Sequence, residues 1–193
     1  MRNAESSDHW NGLMHETWVK RVSDDTIYIS AKALQISWGN DDRFWKWISL
    51  SNDKLPKDFA KHNLSFDRAA ELNQVQALQV TGTLDLTRHD LQLNPSKTYE
   101  IIYHIKFKVD AFGWSKAPVT FLCGASKMQK MGYAMVALQR SRGVGEWLEI
   151  QGGEFKPGNF AAGKVDFRML EESEWWKGGM AIAGITVRPK GTK

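Results

Sequence analysis

From Ile27 onward the apolar residues of this chain recur at every second position, the period of a strand that buries one face and wets the other. The clearest run is residues 99–110, YEIIYHIKFKVD, where Tyr99, Ile101, Tyr103, Ile105, Phe107 and Val109 share a face. Residues 75–86, VQALQVTGTLDL, put Leu78, Val80, Leu84 and Leu86 on one side, with Gly82 marking a bulge or a close approach. Further strands are read at 147–150, 165–170 and 182–187, punctuated by Gly152-Gly153, Pro157-Gly158, Gly163 and Gly178-Gly179. Helical spacing is confined to residues 67–72 and to the N-terminal stretch, where Trp10, Leu13, Met14, Trp18 and Val19 fit a short amphipathic helix docked on the body. Many short strands with regular turn signals and little helix predict an all-β fold, an antiparallel, jelly-roll-like β-sandwich. The change in pattern divides the chain into an extension over 1–26 and one domain over 27–193.

A length of 193 residues suits a single well-buried domain. Nine tryptophans against one cysteine is a skewed composition, and it excludes an internal disulfide framework. Cys123 sits in the apolar run VTFLCGA and reads as a buried, inert thiol. The first eighteen residues lack the apolar core of a secretory signal, and no stretch reaches the ~20 apolar residues of a membrane span. The expectation is a soluble, cytoplasmic protein, in which the sequon Asn63-Leu64-Ser65 is chance. A net charge of +4 permits contact with polyanions, but the basic residues are dispersed, and the pairs Lys127/Lys130 and Arg140/Arg142 read as solvated surface.

Catalytic and metal chemistry find little footing. The five histidines lie far apart and none pairs with Cys123, so no metal site is expected. No phosphate loop or nucleophile motif occurs, and no cofactor is expected. Glu146, Glu149, Glu154, Glu171, Glu172 and Glu174 crowd the C-terminal third, yet nothing fixes a pair at the ~5–9.5 Å that glycoside hydrolysis needs. The chain reads as a non-enzyme.

Binding chemistry is better supported. In residues 31–47, AKALQISWGNDDRFWKW, three tryptophans (Trp38, Trp45 and Trp47) surround the turn Gly39-Asn40-Asp41-Asp42. Core packing accounts for such indoles, and so does an open aromatic face beside Asn40, Asp41 and Arg43, the combination that suits a pyranose: axial hydrogens on the ring, hydroxyls on the polar groups. A second cluster, Glu171 to Gly179, holds Trp175 and Trp176 beside Lys177; alternation would turn one indole inward and the other outward, with anchoring of the last hairpin as the plainer role.

Four blocks in order, AKALQISWGNDDRFWKW, NPSKTYEIIYHIKFK, GEWLEIQGGEF and VDFRMLEESEWWKGGMAIAGITVRP, resemble the plant phloem protein 2, or Nictaba-like, lectin family over about residues 27–189. The resemblance implies a β-sandwich lectin domain over 27–193 that binds N-acetylglucosamine oligomers (chito-oligosaccharides) and N-glycan cores without catalysis, in cytoplasm, nucleus or phloem sap. By the same resemblance the family's two sugar-associated tryptophans correspond to Trp38 and Trp45, and its acidic position to Glu171. Lys164 stands where tobacco-type members carry an acid, a departure bearing on ligand strength or preference. Neither a nuclear lysine run nor an F-box segment is seen, which argues against nuclear import and a ubiquitin-ligase adaptor role.

The resulting expectation is a shallow site in which Trp38 or Trp45 stacks on the sugar and Asn40, Asp41, Arg43 and Lys177 bond its polar groups. Glu171 closes the rim, and Trp175 adds a second aromatic. Affinity per site should be about 10 µM to 1 mM, raised roughly 10²-fold if a homodimer engages two sugars at once. The alternative is a phloem-transport protein or RNA interaction module in which the aromatic loop is packed.

Overall fold

The computed structural model describes residues 7–22, 25–51, 54–62, 64 and 66–191; of the sequon, Asn63 and Ser65 lie outside them. Its strands in chain order are β1 (Trp10–Asn11), β2 (Val19–Val22), β3 (Thr26–Ser30), β4 (Gln35–Ile36), β5 (Trp45–Ser49), β6 (Arg68–Leu72) and β7 (Leu78–Asp85). They continue with β8 (Tyr99–Phe112), β9 (Pro118–Cys123), β10 (Ser126–Met131), β11 (Leu148–Phe155), β12 (Lys164–Glu171) and β13 (Gly178–Pro189). Among the described residues, two α-helices, α1 (Lys57–Lys61) and α2 (Gly132–Arg142), and several single-turn 3₁₀ helices complete the set.

The period-two pattern forms the expected antiparallel sandwich. One sheet runs β1-β4-β7-β12-β9-β10 and the other β11-β8-β13-β3-β2. β7 and β12 alternate buried and exposed residues along their length, so the apolar set faces the opposite sheet and the polar set faces water. Gly82 marks a close approach, as expected: a Cβ there would lie 2.4 Å from the ring of Phe167 on β12.

β13 departs from alternation, with ten consecutive buried residues, because both of its faces are covered. One face joins the sandwich core, and the other carries Ala183 into a smaller cluster with Tyr28, Leu55, Phe59 and Phe66 beneath α1. One edge of β13 is also shared: residues 180–182 pair with β6 and residues 184–187 with β3. The change of partner falls at Gly184 (φ +152°), where a Cβ would lie 2.0 Å from the carbonyl oxygen of Ile29.

Three expectations need correction. Residues 67–72 are not helical: RAAEL has helix-forming composition, but Leu72 is paired on both sides, with Trp45 of β5 and Met180 of β13, and tertiary pairing overrides propensity. The N-terminal stretch forms β1 and β2, which extend the two sheets, instead of an amphipathic helix. The one long helix, α2, was not expected; it buries only Gly132, Met135 and Gln139 and starts without a side-chain cap, so its periodicity is faint. Cys123 is buried in the core as expected, where desolvation pushes its thiol up to about 12.

Candidate functional site

β4 and β7 pair antiparallel, so the chain leaving Ile36 heads toward the start of β7, and β12 ends at the same place, with Glu171 opposite Leu78. Both tryptophan-bearing loops, 37–44 and 172–177, therefore sit at one end of the sandwich. The β6–β7 linker ties them together. Asn73 donates its N–H to the Phe44 carbonyl (2.8 Å) and its Nδ2 to the Asp42 carbonyl (2.9 Å). Two residues on, Val75 and Lys177 exchange backbone bonds of 2.9 and 3.0 Å.

In the first loop Trp38 adopts φ +64°, a left-handed conformation that costs a bulky residue about 1–2 kcal/mol. The surroundings hold it there. Its N–H donates to His9 Nδ1 (2.9 Å), its carbonyl accepts from Asp41 N (3.0 Å), and its indole leans on His9 (4.8 Å between ring centres) and Phe44 (5.5 Å). The ring is left 38% exposed. Asn40 turns Nδ2 back to the carbonyls of Ser7 and His9 (both 2.9 Å), while Arg43 grips Asp41 through Nε and Nη2 (2.6–3.1 Å). The Arg43 guanidinium, and after it the Arg43 backbone N–H, hold the Asp41 carboxyl below the ordinary carboxylate range.

Trp45 does not serve as an open face. At 2% exposure it is core, because β5 pairs with β6 and points this ring inward; its Nε1 has no partner among the described residues. Trp47 shares that side of β5 and packs edge-on against Trp10 (5.0 Å), with the Lys32 ammonium over both rings at 3.9 and 4.1 Å.

The second loop also differs from expectation. Lys177 is fully buried and forms an ion pair with Glu171, itself 2% exposed. The ammonium also donates to the carbonyls of Gln76 and Trp175, while Glu171 accepts from Ser173 N (2.9 Å). Neither side chain lies on a rim. They pin the loop from beneath, which turns both Trp175 (56% exposed) and Trp176 (47%) outward instead of one in and one out. The Lys116 ammonium lies 5.0 Å from the Trp175 ring.

Of the eight residues read as a site, Trp38, Asn40, Asp41, Arg43 and Trp175 reach the surface at this end, whereas Trp45, Glu171 and Lys177 support it. Lys164 is seven residues from Glu171 along β12, about 23 Å at ~3.3 Å per residue, at the far end of the strand. Sequence reasoning missed His9, Phe44 and Gln79, whose Oε1 accepts from Ser37 Oγ (2.9 Å). His9 is 29 positions from Trp38 and carries no local signal. A cleft of about 630 Å³ lies elsewhere, between residues 54–58 at the start of α1 and the end of α2. Charges of both signs line it, and burial pushes its floor residue His104 down to about 3.

A family model described as Phloem protein 2 matches residues 24–189. Protein PHLOEM PROTEIN 2-LIKE A1 of Arabidopsis thaliana is 30% identical over 90% of this chain and 65% of its own length. Protein PHLOEM PROTEIN 2-LIKE A5, from the same plant, is 30% identical over 90% of the chain and 40% of its own length. This chain thus spans less than two thirds of either relative. A protein named Lectin from Luffa acutangula is 24% identical over 89% of the chain and 74% of its own length. Among solved structures, TmCBM61 in complex with beta-1,4-galactotriose covers 81% of this chain and 87% of its own at 8% identity, with a TM-score of 0.41, too low a superposition to carry a functional comparison.

Proposed function

The chain belongs to the phloem protein 2 family, and from that premise we propose that it is a non-catalytic lectin whose Trp38 corner binds N-acetylglucosamine oligomers and N-glycan cores. The observation that carries this reading is Trp38, 38% exposed and fixed by its neighbours on a strained backbone. A ring immobilised before the ligand arrives loses little entropy on binding. In the same turn, Asn40 Oδ1 is able to accept from a hydroxyl, and Arg43 Nη1, the guanidinium nitrogen with no bond to Asp41, to donate to an acetamide carbonyl.

Two facts support binding without bond cleavage: Asp41 is committed to Arg43, and Glu171 to Lys177. The likeness to a protein named Lectin points the same way. A second reading, contact with RNA or another polyanion, draws on residues 111–145, which hold Lys116, Lys127, Lys130, Arg140 and Arg142 and no acid.

Titration with chitotriose, followed by tryptophan fluorescence, tests the two together. The lectin reading expects saturation at about 10 µM to 1 mM, nearly unchanged between 50 and 500 mM salt, since the flanking polar groups meet uncharged partners. A silent titration, with oligonucleotide binding that weakens at least about tenfold over that salt range, would replace it with the polyanion reading.

A further inference from the structure

Resting on the carbohydrate reading of Trp38, we propose that residues 7–11 form one wall of a selectivity subsite. It would take a neutral group rich in hydroxyls and amides, joined to the ring that lies on Trp38. These residues lie outside the segment 24–189 that the family model matches.

The subsite is a cleft of about 310 Å³ beside Trp38 on the outer face of the β1-β4-β7 edge. Ser7 and Asn11 supply one side, and Gln35, Ser37, Gln79 and Thr81 supply the other. Among the described residues, no lysine, arginine, aspartate or glutamate lines it. Its side chains are already sorted into donors and acceptors. Ser37 Oγ donates to Gln79 Oε1 (2.9 Å) and Thr81 Oγ1 to Gln35 Oε1 (3.3 Å). Each amide oxygen already accepts one bond, which orients the Gln35 and Gln79 NH₂ groups as donors beside the two hydroxyl oxygens, which remain able to accept. Such a surface complements hydroxyls and an acetamide carbonyl. A carboxylate or phosphate entering it would shed water without meeting a cation.

The wall is fastened to the aromatic platform. β1 contributes only the pairs Trp10 with Ile36 and Asn11 with Gln35, too little ladder to hold a segment alone. Trp10 adds its Nε1–H to the Lys32 carbonyl (3.1 Å), and the platform supplies four more bonds: Trp38 N–H to His9 Nδ1, Asn40 Nδ2 to the carbonyls of Ser7 and His9, and Asn40 N–H to the Asp8 carbonyl (3.0 Å). The bonds that hold Trp38 in its strained conformation thus also place the far side of the cleft.

The test is calorimetric titration of the full chain with N-acetylglucosamine and with chitotriose, for the parent and for Gln79→Ala, Gln35→Ala and His9→Ala, each checked for folding by its melting temperature. The parent should bind the trisaccharide about tenfold more tightly than the monosaccharide. Each glutamine variant should cut that ratio by about fivefold, the worth of one net hydrogen bond, and His9→Ala should lower it by displacing the wall. Equal ratios in parent and all three variants, with saccharide still bound, would overturn the subsite and leave the Trp38 reading standing. No binding of either saccharide by the parent would remove the Trp38 reading, and the subsite with it.

Discussion

At the 38–47 corner the indole of Trp45 is inside and the Arg43 guanidinium is outside, over a largely covered Asp41 carboxylate; at the 171–177 corner the charges of Glu171 and Lys177 are inside and the indoles of Trp175 and Trp176 are outside. Both corners are built from tryptophan, acid and base, and both lean on the same β6–β7 linker. What differs is which chemistry does the holding. The first corner is braced by aromatic packing and neutral hydrogen bonds, with an ion pair whose Arg43 end lies in water and whose Asp41 carboxylate is largely covered and also accepts the Arg43 backbone N–H. The second is braced by a buried ion pair whose desolvation is offset by the carbonyls of Gln76 and Trp175 and the N–H of Ser173. Residue type therefore does not tell which side chain meets a ligand; the facing of the strand beneath it does.

The largest expected effects come from exchanging these supports. Lys177→Met leaves the Glu171 carboxylate buried and unpaired and should cost about 3–5 kcal/mol in urea denaturation, whereas Glu171→Leu/Lys177→Met together should recover most of that loss. Arg43→Met removes a guanidinium that lies mostly in water and leaves Asp41 its bond from the residue 43 backbone N–H, so it should cost less than about 1 kcal/mol. Equal losses at Lys177 and Arg43 would erase the contrast between the corners.

Of similar size is Trp45→Ala, which removes a fully enclosed ring and should cost about 3–5 kcal/mol by the same measurement. Trp45→Phe sharpens the point. Because the indole Nε1 has no partner among the described residues, phenylalanine relieves a buried donor while keeping most of the packing, so the loss should stay below about 1.5 kcal/mol. A Trp45→Phe variant as damaged as Trp45→Ala would mean the N–H meets a partner, such as a buried water, that the aromatic packing does not supply.

This pattern of success and failure follows from what sequence encodes locally. β12 was legible because it has one wet face, which imposes period two; β8 alternates in sequence, yet residues 101–105 are buried on both faces and Val109, placed with the apolar set, is exposed. β6 was misread because its partners, β5 and β13, are distant in sequence and outvoted the helix-forming Ala-Ala-Glu. At the candidate site, the turn 39–42 beside Trp38 was readable from its residue types, but the inward facing of Trp45 depends on the pairing of β5 with β6. The burial of Lys177 likewise depends on its bridge to Val75. A lysine beside two tryptophans gives no sign of facing inward until the linker beneath it is placed.

Smaller effects should separate the corners in binding. Trp38→Ala removes the proposed platform and should weaken chitotriose binding at least about tenfold, read by calorimetry, while costing only about 1–2 kcal/mol of stability, since the ring is already partly in water. Trp45→Phe should bind nearly as the parent does. A folded Trp38→Ala protein with parental affinity would detach the sugar from this corner.

The smallest effect is expected at Trp175→Ala. Its indole is 56% exposed and touches the Lys116 ammonium, so stability should change by less than about 0.5 kcal/mol. If the ligand extends from Trp38 across the β6–β7 linker, affinity should fall about two- to threefold, a lost edge contact worth less than one hydrogen bond. Loss of all binding at Trp175→Ala, with Trp38→Ala unaffected, would invert the assignment. The corner held by buried charge would then be the recognition surface, and the strained, well-supported Trp38 would belong to the scaffold.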